Sequence, residues 1–207
     1  MLNDQQRTEQ WFKDREGKLT ASMFVAAAGI GPTSRQAAWR RFFKLETFDG
    51  NEATDWGEKH EADALREYKA RVWPDANLTM SGFVVHHELP WLGCSPDVLV
   101  GNTGLGEVKC PYSQELYEAI PPYYMAQMQG QMEIANRDWC DFIVWTPNQM
   151  SVQSVTRCRD YWQWMYERLA EFWIYVEAGL EPPRAKRPTP PNTDHLLGIK
   201  TIHQLAI

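Results

Sequence analysis

Three ionic residues, Asp97, Glu107 and Lys109, stand close together in the stretch GCSPDVLVGNTGLGEVKCPY, residues 93–112. Their neighbours Val98, Leu99, Val100 and Val108 read as core strand residues. Charge among such residues is costly unless something pairs with it. Two converging carboxylates supply oxygen donors suited to a hard cation such as Mg²⁺. Such an ion holds a phosphate oxygen and acidifies a bound water, and two of them clamp both the attacking and the leaving oxygen. A lysine alongside is a point charge fit to position the water or to stabilise charge building up at phosphorus. The plainer alternative, a structural Asp–Lys pair in a hairpin, leaves the glutamate unexplained.

The two strands and their turn must bring these groups together. Side chains along a strand alternate faces, so Glu107 and Lys109 share one and Val108 takes the other. A three-residue loop, Asn102-Thr103-Gly104, would pair Gly101 with Leu105, Leu99 with Glu107 and Asp97 with Lys109. All three ionic groups then share a face, whereas a four-residue loop would turn Asp97 away. Such a loop wants a left-handed residue at its third position, and Gly104 meets that need.

Other elements offer further groups. The run DWGEKHEADALREYKARV, 55–72, is a strongly amphipathic helix ended by Pro74. Glu61 lies in its inward stripe with Leu65, Tyr68 and Val72. It reaches either a shared metal or, from the edge of the stripe, solvent; Glu58 is a weaker candidate of the same kind. Ser22 falls in the first turn of a helix read from LTASMFVAAAG, with Thr20 as N-cap and Gly29 as its stop. Helix N-termini attract anions, and Arg15 just upstream would close a phosphate pocket; an ordinary cap and a surface arginine fit the spacing equally well. Gln127 and Gln131, one turn apart in PYYMAQMQGQMEIA, either meet a phosphate or water or form a polar helix face.

The remaining chain reads as a helix over 4–16, a third helix over 34–45 with a basic face (Arg35, Arg40, Arg41, Lys44), a polar loop ETFDGNEAT, a strand SGFVVHH, a strand pair in CDFIVWTPNQMSVQSVT, and a long helix DYWQWMYERLAEFWIYVEAG capped by Asp160 and stopped by Gly179. The aromatic residues of that last helix are core, with part available to a subunit interface. Helices first, then strands with intervening helices, predict an α/β domain with a central mixed β-sheet flanked by helices. The expected division is one domain over 1–180 and a proline-containing tail over 181–207, whose apolar end, HLLGIKTIHQLAI, packs back or docks on a partner.

The 207 residues carry a net charge of −6 and are 43% hydrophobic, which excludes a disordered chain and argues against non-specific coating of DNA. No run is long enough for a membrane span and no signal-peptide pattern begins the chain, so a cytoplasmic protein is expected. Cys94, Cys110, Cys140 and Cys158 lack metal-ligand spacing and read as buried apolar fillers.

The blocks REGKLTAS, GEKHEADALREY, GFVVH, LGCSPDVLV, GEVKCP, YMAQMQGQM and FIVWTP, in order over roughly residues 10–160, resemble the phage lambda exonuclease and YqaJ-like viral recombinase family. SPD followed by EVK matches the PD-(D/E)xK nuclease motif, which implies a restriction-endonuclease-like core. The resemblance implies a 5′→3′ exonuclease that degrades one strand of linear double-stranded DNA to mononucleotides, leaving a 3′ overhang for a single-strand annealing protein. It implies two Mg²⁺ ions, with Mn²⁺ as a substitute, held by Asp97, Glu107, the Val108 carbonyl and Glu61. Lys109 would orient the attacking water, and Arg15, Ser22, Ser95 and Gln127 would grip the 5′ phosphate. It further implies a homotrimeric ring and a phage or prophage setting in a bacterial cytoplasm. The loop where the family separates strands offers no apolar wedge beyond Phe48. A related endonuclease, with or without an iron–sulfur cluster, and a non-catalytic DNA-end-binding protein are the alternatives.

Overall fold

The computed structural model describes residue 6 and residues 8–46 and 50–205. Phe48 and the centre of its loop lie outside the described residues.

A six-stranded sheet organises the chain, in the order β2 (Leu78–Thr79), β5 (Val98–Val100), β6 (Gly104–Lys109), β7 (Trp139–Trp145), β8 (Gln149–Thr156), β9 (Leu197–Gln204). Only β6 and β7 run parallel, so the sheet is mixed. The β6–β7 crossover carries α5 (Pro122–Ile134), as a parallel connection requires. A smaller sheet joins β1 (Leu19–Thr20), β4 (Leu92–Cys94) and β3 (Val84–Val85). The expected strand SGFVVHH contracts to the two residues of β3.

Helices cover both faces of the large sheet. On one face α5 packs with α2 (Ala21–Ala27) and α6 (Arg159–Ala178) around Leu105, Cys140, Phe142, Val144 and Val155. On the other, α4 (Glu52–Arg71) lays Ala64, Leu65 and Tyr68 over Val98, Val108, Ile143 and Val152. The period-two alternation along β6 and β7 is thus written into two separate cores. α4 begins three residues earlier than expected because Asn51 caps it, accepting from Thr54 N at 3.0 Å. α6 is capped by Cys158 rather than Asp160, through Sγ to Tyr161 N at 3.5 Å, and ends at Gly179 in the left-handed region.

Two further expectations change. α1 covers only Glu9–Arg15, capped by Thr8. The basic face of α3 (Arg35–Phe42) is largely committed internally: Arg35 is buried against Glu171, Arg40 pairs with Glu46 and Glu181, and Lys44 pairs with Glu16. At the C-terminal end, the apolar segment packs back. Residues 181–193 contain no regular element, a 3₁₀ turn follows at Asp194–Leu196, and β9 pairs antiparallel with β8. Among the described residues, no helix is long and apolar enough to cross a membrane.

Candidate active site

The hairpin that carries the three ionic groups has its loop at Gly101-Asn102-Thr103, not at 102–104. Val98 pairs with Gly106, Leu99 with Leu105 and Val100 with Gly104. Gly101, at φ +54°, supplies the left-handed residue. Gly104 is already in β6, where a Cβ would lie 2.2 Å from the Trp139 ring; its missing side chain makes room for that indole and draws the residue into the strand. The three-residue loop therefore lies one residue earlier than expected, which shifts every pairing by two residues. A shift of two preserves parity, so Asp97 keeps the face of Glu107 and Lys109. It stands one residue before the ladder, in line with Glu107 rather than Lys109.

Asp97 Oδ2 accepts the Val108 N–H at 2.7 Å, which binds the entry of β5 to the end of β6. Glu107 is buried, yet both of its oxygens have partners. Oε1 takes Lys109 Nζ at 2.5 Å and Gln127 Nε2 at 2.7 Å, and Oε2 takes Gln131 Nε2 at 2.7 Å. The parity of β6 points Glu107 at α5, and the one-turn spacing of Gln127 and Gln131 aims both amides at it. Sequence spacing put these amides on one face but did not identify their target.

Electrostatics mark the site as short of positive charge. Burial, then the Glu107 charge, and Glu61 behind it, hold the Asp97 carboxyl well above the usual range against the pull of Lys109. Burial works against the Lys109 ammonium, but Glu107 and Asp97 outweigh it, so its pKa lies above the usual lysine value. Burial, then Glu61 and Asp97, pushes the Cys110 thiol up to about 12. All three groups thus register the same negative field.

Arg15, Ser22, Glu61, Ser95, Asp97, Glu107, Val108, Lys109 and Gln127 all line one cleft of about 560 Å³. Arg15 arrives from α1, Ser22 from α2, Glu61 from α4, Ser95 and Asp97 from the turn between β4 and β5, Glu107 to Lys109 from β6, and Gln127 from α5. Ser22 Oγ is 3.1 Å from Thr20 Oγ1. Trp11 supplies two contacts that sequence reasoning missed. Its ring lies 4.0 Å from the Arg15 guanidinium carbon, and its Nε1 donates to Ser95 Oγ at 2.9 Å. The spacing of four between Trp11 and Arg15 on one helix was the available signal. Tyr124 is likewise new, with Lys109 Nζ 5.0 Å from its ring centre.

The donor set fits a hard cation in its chemistry. Asp97 has one of its carboxylate lone pairs engaged and Glu107 three, which leaves acceptor capacity on both. Burial first, and then the Glu107 charge, disfavour the ionised Asp97 carboxylate, and an added cation would offset both. Among the described residues, however, no three His, Cys, Asp or Glu side chains already stand at metal-ligand spacing. The fold accounts for this: Asp97 and Glu107 lie on the α5 side of the sheet, while Glu61 reaches the cleft from α4 on the other.

A central mixed sheet between helix layers, with these groups gathered in one cleft, is the architecture of the exonuclease-type nuclease fold. Residues 10–138 match the YqaJ-like viral recombinase domain, and the chain belongs to that family. It is similar to an alkaline exonuclease, LHK-Exo, from Laribacter hongkongensis: 28% identity and a TM-score of 0.72 over 83% of this chain and 94% of that one. The structure of LHK-Exo in complex with dAMP compares at 27% identity and a TM-score of 0.73, with the same coverage. A phage-related exonuclease from Haemophilus somnus 129PT shares the fold at 14% identity and a TM-score of 0.60, over 78% of this chain and 94% of that one. No match is found among the curated proteins compared.

Proposed function

We propose that this protein is a Mg²⁺-dependent exonuclease that degrades one strand of linear double-stranded DNA from its 5′ end to mononucleotides and leaves a 3′ overhang for recombination by strand annealing. The observation that carries this reading is the meeting of nine residues from five helices and strands, and the turn between them, on one cleft whose centre is Asp97, Glu107 and Lys109. The complex of the similar alkaline exonuclease with dAMP supports a nucleotide product.

In this reading Asp97, Glu107 and the Val108 carbonyl would hold one Mg²⁺ and Glu61 would serve a second, with Mn²⁺ as a substitute. When bound, the metal supplies Lewis acidity toward a phosphate oxygen and an activated water. The chain's own groups do the rest. Lys109, kept protonated by Glu107 and Asp97, holds the attacking water and stabilises charge at phosphorus. Gln127 and Gln131 fix the Glu107 carboxylate in one orientation, so its free acceptor capacity points at a constant place. Arg15 is held over the Trp11 ring and offers its planar guanidinium to the terminal 5′ phosphate. Ser22, Ser95 and Gln127 add polar contacts to the same phosphate. A homotrimeric ring around the duplex and an annealing partner belong to the same proposal.

The test uses linear duplex labelled separately at each 5′ and 3′ end, with Mg²⁺ or with EDTA. Early release of the 5′ label with Mg²⁺ alone is expected. Early release of the 3′ label, or cutting of closed circular duplex, would replace this reading with a different polarity or with an endonuclease. Binding to DNA ends with no release under any metal would leave a non-catalytic end binder.

A further inference from the structure

The chain is acidic overall, at −6, yet one surface region is strongly basic. A groove of about 730 Å³ runs between the loop after α2, the start of α3, the outer side of α6 and the extended segment 184–188. Arg35, Arg40, Arg168, Arg184, Lys186 and Arg187 line it, against two carboxylates, Glu171 and Glu181. Those two acids are already engaged, Glu171 with Arg35 at 3.2 Å and Glu181 with Arg40 at 2.9 Å. Arg187 is anchored to the Gly31 carbonyl at 2.9 Å, and Arg168 is packed on Trp164. Arg184 and Lys186 are exposed, and among the described residues no carboxylate pairs with either.

A third cavity shares walls with both the groove and the cleft. This notch of about 210 Å³ is lined by Ser22 and Gln127, which also line the cleft, and by Pro32 and Thr33, which also line the groove. Tyr123 adds an aromatic wall to the notch. Cations that track a backbone, preceded by an aromatic surface on which a base can lie, are what a single nucleic-acid strand requires. An acidic protein segment would need the cations but not the notch beside the cleft. Arg184, Lys186 and Arg187 lie outside the family match at residues 10–138, so the C-terminal segment adds three cations to a groove whose other wall, residues 28–40, lies within that match.

We propose that this groove binds the phosphate backbone of a DNA strand that extends from the cleft across the Tyr123 notch. The proposal rests on the nuclease reading above. The test is fluorescence-anisotropy titration of labelled single strands in EDTA, at several salt concentrations, with the wild type and the double variant Arg184→Ala/Lys186→Ala. Neither residue lines the cleft. For a strand of about 20 nucleotides, long enough to reach the groove, losing two phosphate contacts should lower the slope of log K against log salt by about 1.4. A strand of about four nucleotides, which fills only the cleft, should bind the variant as it binds the wild type. The charge-preserving Arg184→Lys/Lys186→Arg pair should keep the wild-type slope.

An unchanged slope with the long strand, while the wild type still digests DNA with Mg²⁺, overturns the groove and leaves the nuclease standing. A wild type that neither binds nor cuts DNA overturns both. Equal weakening of long and short strands overturns the groove by locating the damage in the cleft. Displacement of the long strand by poly-glutamate as readily as by unlabelled strand reassigns the groove to an acidic protein partner.

Discussion

Glu107 and Asp141 are both 1% exposed and lie on neighbouring strands, one residue apart in register, because Asp141 pairs with Gly106. They point to opposite faces of the sheet. Asp141 turns toward α4 and takes three neutral donors: Tyr68 Oη at 2.6 Å, Trp73 Nε1 at 3.1 Å and Ser154 Oγ. Burial first and then Asp141 keep the Tyr68 hydroxyl well above the usual tyrosine range, so it remains a donor. Glu107 turns toward α5 and also takes three donors, but one is the Lys109 ammonium and the site opens onto the cleft beside a second carboxylate. Burial and hydrogen-bond count are the same in the two places. What distinguishes the surroundings of Glu107 from those of Asp141 is a like-charged neighbour, a cation and an opening. Asp141 has none of these in its hydrogen-bonded set, and its three bonds hold the end of α4 to the sheet.

The contrast breaks most sharply at Asp97. Asp97→Ala should lower the exonuclease rate by about a thousandfold or more, the several kcal/mol that metal-assisted charge stabilisation provides. Stability should change little, because removal of a buried acid with a disfavoured charge offsets the loss of the acceptor for the Val108 N–H. A normal rate with a lowered unfolding midpoint would place Asp97 in the structural class with Asp141. Lys109→Met comes next. Loss of one positioned electrostatic stabiliser should cost about 10² to 10³ in kcat, with DNA affinity little changed. Single-turnover digestion at saturating enzyme separates these two quantities, and a loss confined to affinity would make Lys109 a simple phosphate contact.

The surroundings of Glu107 were more legible in the sequence than those of Asp141. Three charges in an apolar hairpin ask for a partner, and strand parity tests whether they can share it. That argument survived a loop misplaced by one residue because the pairing shifted by two, an even number; the Trp139 indole over Gly104 is a contact between strands that no local pattern reveals. Asp141, inside WCDFIVW, carries the same signal of a charge in a core run, but its partners Tyr68, Trp73 and Ser154 are distant in sequence. β9 was hidden for another reason. It is an edge strand with Ile199 and Ile202 exposed, so the alternation that marks a half-buried strand is weak. The α1–Arg15 contact with Trp11 was legible by spacing, whereas the purpose of the Gln127 and Gln131 pair needed the packing of α5 on β6.

Asp141→Ala tests the structural side. It would leave the Tyr68 hydroxyl and the Trp73 N–H unpaired at the helix–sheet junction. Each buried unsatisfied donor costs on the order of 1–3 kcal/mol, so a loss of about 3 kcal/mol in unfolding free energy is expected. Denaturant titration measures it, and the rate per folded molecule should stay within about twofold of wild type, the span of ordinary surface changes. A rate that falls in step with Glu107 variants would show the two carboxylates to be one coupled site.

The finest discrimination lies between a donor to each carboxylate, Gln131 to Glu107 and Ser154 to Asp141. Gln131 is buried, its Nε2 holds Glu107 Oε2, and its Oε1 has no partner among the described residues. Gln131→Met removes the donor and the unsatisfied acceptor together, at similar volume, so the two stability effects oppose each other. The Glu107 carboxylate then keeps Lys109 and Gln127 on one oxygen and is free to rotate about that side. Loss of such an orienting contact costs about 10- to 100-fold in metal affinity or activity, and the lower end is expected because two donors remain. Ser154→Ala should do the reverse, lowering the thermal midpoint while leaving the rate alone. The measurement is kcat and midpoint for both variants, with the Mg²⁺ concentration for half-maximal rate as the deciding readout. A rise in that concentration for Gln131→Met alone is the signature of a carboxylate that must be aimed, and equal behaviour of the two variants would mean that both amide and hydroxyl serve only to fill the core.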